Sequence, residues 1–240
     1  ASEGVYEFAV REWGPQPLRL MMAASSCNAI TLNVAKDTGV KEVKDLKGKR
    51  IGTVVGSPAL NQNAFAILAF ANIGKDDVKL VEAGSSGDWV SSASSQNGGA
   101  GGLSKSNALE LPNYPYPIFS AYAGEKADLI YSITKAMIVD YAAYKDSAPG
   151  ADGLDVKLQL LNWVLPYHDG AVKALKEAGV WTPEVQKHND MLVKRQDTIG
   201  GAWAAYIKAN PPADKDAFAK AWMEARKAAL QKAGMNPVFE

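Results

Sequence analysis

A single cysteine, Cys27, in 240 residues excludes an intrachain disulfide and a thiolate metal cluster. The two histidines, His168 and His188, are too few for a His-rich metal centre, so neither a metal nor any other cofactor is expected. Neither sign of charge is in excess: Lys plus Arg number 26 and Asp plus Glu number 26. That balance argues against a protein that holds nucleic acid by a bulk basic field, and no nucleic-acid partner is expected. No uncharged apolar run reaches the roughly eighteen residues of a membrane helix. The opening Ala1-Ser2-Glu3-Gly4 shows no basic start, apolar stretch and cleavage site of a secretion leader.

What is present has ordinary globular proportions, with 47% apolar and 22% charged residues. The first half reads as short strands and one helix. Leu18 to Ala24 follows Gly14-Pro15-Gln16-Pro17 and predicts a strand leaving a stiff loop; Ala29 to Ala35 predicts a second. Ile51 to Val55 predicts a buried strand that runs into Gly56-Ser57-Pro58. Ser57 is a preferred N-cap and Pro58 sits at the first helical position, where proline is tolerated. Leu60, Ala64, Ile67, Leu68 and Ala71 then recur at helical spacing, with Gly74 placed to stop the helix. Val78 to Ala83 predicts the next strand, which completes a βαβ unit over roughly 50–83.

From Gly84 to Gly102 there are six glycines and six serines, a composition that reads as linker. The prolines at 112, 115 and 117 force an extended approach to a strand over Ile118 to Ala123. The remainder is helical. Glu125 to Tyr144 carries Leu129, Ile133, Met137, Tyr141 and Tyr144 on one stripe. A short helix follows Asp169, which reads as its N-cap, and ends at Gly179. A longer one starts at Thr182-Pro183 with Val185, Leu192, Ile199 and Tyr206 spaced by sevens. The last presents Phe218, Trp222 and Leu230.

The segment Gly56-Ser57-Pro58-Ala59-Leu60-Asn61-Gln62-Asn63 is the best binding candidate. A helix start offers unpaired N–H groups and partial positive charge, while Ser57, Asn61 and Asn63 add uncharged donors for a carboxylate. An ordinary capped helix after a core strand explains the same residues. The glycine spacing and Lys of a phosphate-binding P-loop are absent. Tyr114 and Tyr116, with Phe119 and Tyr122, are candidates to line a cleft, or equally to pack between lobes. His168-Asp169 reads mainly as the start of the following helix. A catalytic use of His168 or Cys27 is the rival reading: an enzyme on the same fold acting on a small anionic metabolite.

Three stretches in order resemble one family. Asp45-Leu46-Lys47-Gly48-Lys49-Arg50 with Gly56-Ser57 is similar to type II periplasmic solute-binding proteins. Ile130-Tyr131-Ser132-Ile133-Thr134-Lys135-Ala136 resembles a helix of the TAXI-type solute-binding subunits of TRAP transporters. Pro166-Tyr167-His168-Asp169-Gly170-Ala171, followed by Lys176-Glu177-Ala178-Gly179, resembles the signature of that same family. The resemblance implies an α/β, type II periplasmic-binding-protein-like fold of two lobes with a cleft and C-terminal helices, the first lobe incomplete in this chain. It places 1–17 as a remnant of lobe one, 18–123 mostly in lobe two, and 124–240 as helices that pack on and complete lobe one.

It further implies a non-enzymatic, monomeric, periplasmic receptor whose leader has been removed. That receptor takes a small organic anion (dicarboxylate, 2-oxoacid or amino acid) and passes it to a TRAP-type membrane permease. By position Gly56, Ser57, Pro58 and Ala59 match the family's ligand turn, with Pro58-Ala59 where the family has Gly-Thr. Asn61 and Asn63 stand where they can compensate.

Overall fold

The computed structural model describes residues 2–5, 13–25, 32, 34, 36–55, 58–83, 115, 117–148 and 150–238, and for residues 36, 58–60 and 83 the backbone alone. By its contacts the chain divides into one unit of residues 1–28 with 115–240 and a second of 29–114. The fold is mixed α/β, with small sheets and many helices, and is compatible with a periplasmic-binding-protein-like architecture.

In the 29–114 unit, Arg50–Val54 (β2; β1 belongs to the other unit) pairs in parallel with Lys79–Ala83 (β3), and Pro58–Phe70 (α1) is the helix between them. This is the βαβ unit expected from the sequence, with Pro58 as the first helical residue. Alternation along β2 buries Ile51 and Thr53 and exposes Gly52. Ile51 packs with Leu46, Leu68, Ile73 and Val78 into one core. Gly74 is not the residue that stops α1. Asn72 takes the left-handed conformation, at φ 56°, and Gly74 instead precedes the next turn. Asparagine tolerates that region because its short polar side chain bonds locally. The strand expected over 29–35 falls mostly outside the described residues.

In the other unit Leu18–Ala23 (β1) pairs antiparallel with Ile118–Tyr122 (β4). The free edge of β1 is bridged by residues 166–168: Leu20 N–H donates to Pro166 O (2.8 Å) and His168 N–H to Leu20 O (2.9 Å). Lying between two partners, Leu20, Met22 and Ala23 are fully buried. Four longer elements follow: Ala127–Val139 (α2), Asp169–Glu177 (α4, after the single turn Tyr141–Tyr144, α3), Pro183–Lys208 (α5) and Lys215–Lys232 (α6).

The stripe expected to face inward on α2 is offset by one residue. Ile130 and Thr134 are buried, whereas Leu129 and Ile133 are 51% and 41% exposed. The helix carries apolar residues nearly all round, so periodicity does not select a face; close packing on α4 does. A Cβ added to Gly170 would clash with Ala127 O and lie 2.7 Å from Tyr131 N. Gly170→Ala is therefore expected to lower stability by about 1–3 kcal/mol through overpacking. Chemical denaturation checks this, with Gly179→Ala as a comparison in open space. There the only penalty is strain at φ +74°.

The helix expected over 125–144 breaks at Asp140, and α2 and α3 are separate. For α5 the expectations hold: Thr182 caps it, its Oγ1 accepting from Val185 N–H (3.3 Å), and Val185, Leu192 and Ile199 are buried. Ile199, Phe218, Trp222 and Leu230 form the core between α5 and α6, ringed by Trp203 and Tyr206. Edge-on aromatic pairs such as Trp203–Trp222 (4.9 Å, 87°) fix that core.

Candidate ligand-binding site

The site residues named from sequence divide between described and undescribed. Gly56, Ser57, Tyr114 and Tyr116 lie outside the described residues, as does Cys27. Pro58 and Ala59 are placed by backbone alone, in the first turn of α1. Asn61 and Asn63 are fully described, and both are half-buried. Phe119 and Tyr122 lie exposed on β4, in the other unit.

Asn61 makes two hydrogen bonds to one residue. Its Oδ1 accepts from Val54 N–H (2.8 Å) and its Nδ2 donates to Val54 O (3.0 Å). The side chain thus joins the last residue of β2 to the first turn of α1. Asn63 is two positions on, about 200° further round the helix.

Electrostatically α1 differs from the four longer helices of the other unit, though not from the short α3. Its first turn holds no acidic residue, whereas α2, α4, α5 and α6 hold Asp128, Asp169, Glu184 and Asp216 at theirs. Acidic side chains at that end normally offset the helix dipole and the unpaired N–H groups. The start of α1 therefore offers positive potential that its own first turn does not neutralise, a place chemically suited to a carboxylate.

His168, the one described residue on which the rival, enzymatic reading rested, takes a structural position. His168, rather than Asp169, is the N-cap of α4: its Nδ1 accepts from Gly170 N–H (3.2 Å) and its ring is buried. That bond leaves the ring proton to Nε2, which is buried with no hydrogen-bond partner among the described residues. Tyr167, beside Trp181 (5.5 Å between rings), is buried too, and burial pushes its hydroxyl well above the ordinary tyrosine range. His188 Nε2 contacts Trp163 O at 2.7 Å. Among the described residues no group of three or more His, Cys, Asp or Glu side chains is placed to hold a metal ion. No described helix is long and apolar enough to cross a membrane.

Sequence reasoning missed the most strongly built polar cluster. Glu3 accepts from Arg195 through both carboxylate oxygens (2.8 and 2.9 Å) and from Arg226, which is fully buried. Arg195 and Arg226 also donate to carbonyls at Asn236 and Pro237. The cluster gathers both ends of the described chain onto α5 and α6. A separation of more than 190 residues between Glu3 and its partners leaves no local signal for it.

Comparison with known families adds one match. The model of the family described as NMT1/THI5 like matches residues 8–103. This is a periplasmic-binding-protein-like family, and it suggests a substrate-binding role in transport or biosynthesis. The matched stretch covers less than half of the chain and includes β2, α1 and β3. No curated protein matches the chain.

Proposed function

We propose that the protein is an extracytoplasmic solute receptor that captures a small organic anion at the start of α1 and delivers it to a TRAP-type membrane permease. The observation that carries this reading is the un-neutralised helix start that follows β2, inside the stretch matched by a binding-protein family. Beside Pro58, Gly56, Ser57 and Ala59 supply backbone and hydroxyl donors there, and Asn63 a side-chain amide. Carboxylates of a dicarboxylate, a 2-oxoacid or an amino acid share the chemistry that such donors recognise. Pro58 contributes no N–H, so the adjoining amides of Ser57, Ala59 and Leu60 carry the load.

The TAXI-like sequence motifs at 130–136 and 166–171 support the TRAP assignment and a periplasmic location, as a monomer. Tyr114 and Tyr116 belong to the proposed lining. The receptor works by population shift, the ligand favouring the form that the permease recognises.

A thermal-shift panel of dicarboxylates, 2-oxoacids and amino acids, with the matching neutral amides as controls, tests the reading. A ligand at a hundred times its Kd stabilises by about 2.7 kcal/mol. The expected result is a rise in Tm with one class of carboxylate and none with its amide. Equal responses to acid and amide, or none to any acid, contradict it.

A further inference from the structure

We infer that the groove between α4 and α5 is a binding site for a short peptide that carries both a free ammonium and a free carboxylate. The site is independent of the function proposed above, because all of its residues lie in the unit of 1–28 with 115–240. Val172, Lys173 and Lys176 face the groove from α4, and Asn189, Asp190 and Val193 from α5. Each set is spaced by three and four, so each forms one helix face. The groove holds about 590 Å³, within the range of small-molecule sites.

Asn189 supplies a donor that the protein itself does not use. The residue is only 5% exposed, and its side-chain oxygen accepts from Tyr167 N–H (2.7 Å). A peptide N–H requires an acceptor, so Tyr167 fixes which end of the amide is oxygen and turns the NH2 end away from itself. Asn189 Nδ2 makes no hydrogen bond among the described residues, and Asn189 borders the groove. A nearly buried amide donor without an acceptor is costly. A peptide carbonyl or carboxylate lying in the groove relieves that cost.

The two walls carry opposite signs. On α4 the Glu177 carboxylate is taken up by Lys135 (2.7 Å) and by the Tyr131 hydroxyl (2.9 Å). Lys173 sits over the Tyr131 ring (4.1 Å), and Lys176 has no acidic partner among the described residues. On α5 the Asp190 carboxylate accepts from Gln186 Nε2 (2.9 Å), a neutral donor, and meets no cation among the described residues. A simple anion attracted to Lys176 meets Asp190 as a like charge, and a simple cation meets Lys176. A molecule bearing both signs satisfies both walls. Axes of packed helices stand about 8–10 Å apart, wider than the ammonium and carboxylate that share one carbon in a free amino acid. A dipeptide or tripeptide has the reach, and Val172 and Val193 offer apolar surface to aliphatic side chains.

NMR titration of the labelled full chain tests this, with L-alanyl-L-valine against its N-acetylated form and its C-terminal amide. An open, salt-screened site should bind the free dipeptide with a Kd of about 1 mM, so each probe is taken to about 10 mM. The expected result is saturable shifts at Val172, Asn189 and Asp190, with the Asn189 side-chain NH2 signals moving downfield. Each blocked form should bind about threefold more weakly or worse. Lys176→Gln should erase the preference for the free carboxylate, and Asp190→Asn the preference for the free ammonium; both residues are exposed, so the fold is kept. Asn189→Asp retains the acceptor for Tyr167 N–H and removes the donor, so a loss of affinity of about tenfold is expected with Tyr167 amide exchange unchanged. If that variant does not fold, the two exposed variants decide. Equal shifts from all three peptides overturn the proposal, as does the absence of saturable shifts at these residues. Preferences for the free ends that survive both exposed substitutions overturn it too. None of these outcomes touches the anion turn at α1, which lies in the other unit.

Discussion

Replacing Arg226 by methionine is expected to destabilise the unit built on α5 and α6 by about 3–5 kcal/mol, the range for removing one partner of a buried ion pair. Arg226 is fully buried on α6, and it bonds the Glu3 carboxylate, Glu3 O and Pro237 O. Methionine matches the length of the side chain but leaves Glu3 O without this donor, and the Glu3 carboxylate and Pro237 O with Arg195 alone. At about 2–4 °C per kcal/mol for a chain of this size, Tm falls by roughly 10 °C. Guanidinium denaturation with calorimetry checks this, and a change below about 1 kcal/mol would show that the cluster is solvated.

The pH dependence has a definite sign. Burial alone would raise the Glu3 carboxyl, but hydrogen bonds from Arg195 and Arg226 outweigh it and hold the group below the usual carboxylate range. A carboxylate depressed in the folded state contributes stability that is present above its unfolded pKa and is lost as pH falls through the folded one. Stability from Glu3 is therefore constant near neutrality and declines only on acidification below the ordinary carboxylate range. Glu3→Gln removes that acid-side slope, and acid titrations of the two proteins compare it directly.

Ser57→Asp is expected to abolish anion binding, with at least a hundredfold loss of affinity, while leaving the fold intact. Aspartate is as good an N-cap as serine and adds a favourable charge at the helix start, so helix stability holds or rises slightly. The same negative charge sits where the proposed ligand's carboxylate would be, and like charges placed together cost several kcal/mol. Divergence of the two readouts distinguishes a binding site from a merely capped helix. Unchanged affinity in a folded Ser57→Asp protein would remove the turn from the site.

Local chemistry was legible in the sequence where it was strong and self-contained. Pro58 at the first turn of α1, Thr182-Pro183 at α5 and the spacing by sevens through Val185, Leu192 and Ile199 all depend on neighbours within a few residues. Two kinds of feature were not legible. The first is choice among near-equivalent faces: α2 is apolar nearly all round, and the close approach of Gly170 determines that Ile130 and Thr134, not Leu129 and Ile133, turn inward. The second is partnership at long range, as with Glu3 and the two arginines, or Leu20 bridged to the residues before α4.

Asn61 lies between these cases. Its residue type at a helix start suggested a donor for a ligand, yet an asparagine offers the same amide to a strand edge as to a carboxylate. Only the position of Val54 shows which partner it has. His168 behaves similarly: its neighbour Asp169 looked the better cap, but the imidazole Nδ1 takes the Gly170 amide. For Asn61 the sequence named the chemical group and geometry assigned its partner; for the cap of α4 it named Asp169, and geometry puts His168 there instead.

Backbone amide shifts in labelled protein, followed during titration with the carboxylate selected by the thermal panel, test the central claim most directly. The account predicts that Ser57, Ala59 and Leu60 show the largest saturable downfield shifts, as their N–H groups donate to the anion. Saturable shifts concentrated on α4 to α6, with those three amides unmoved, would contradict it.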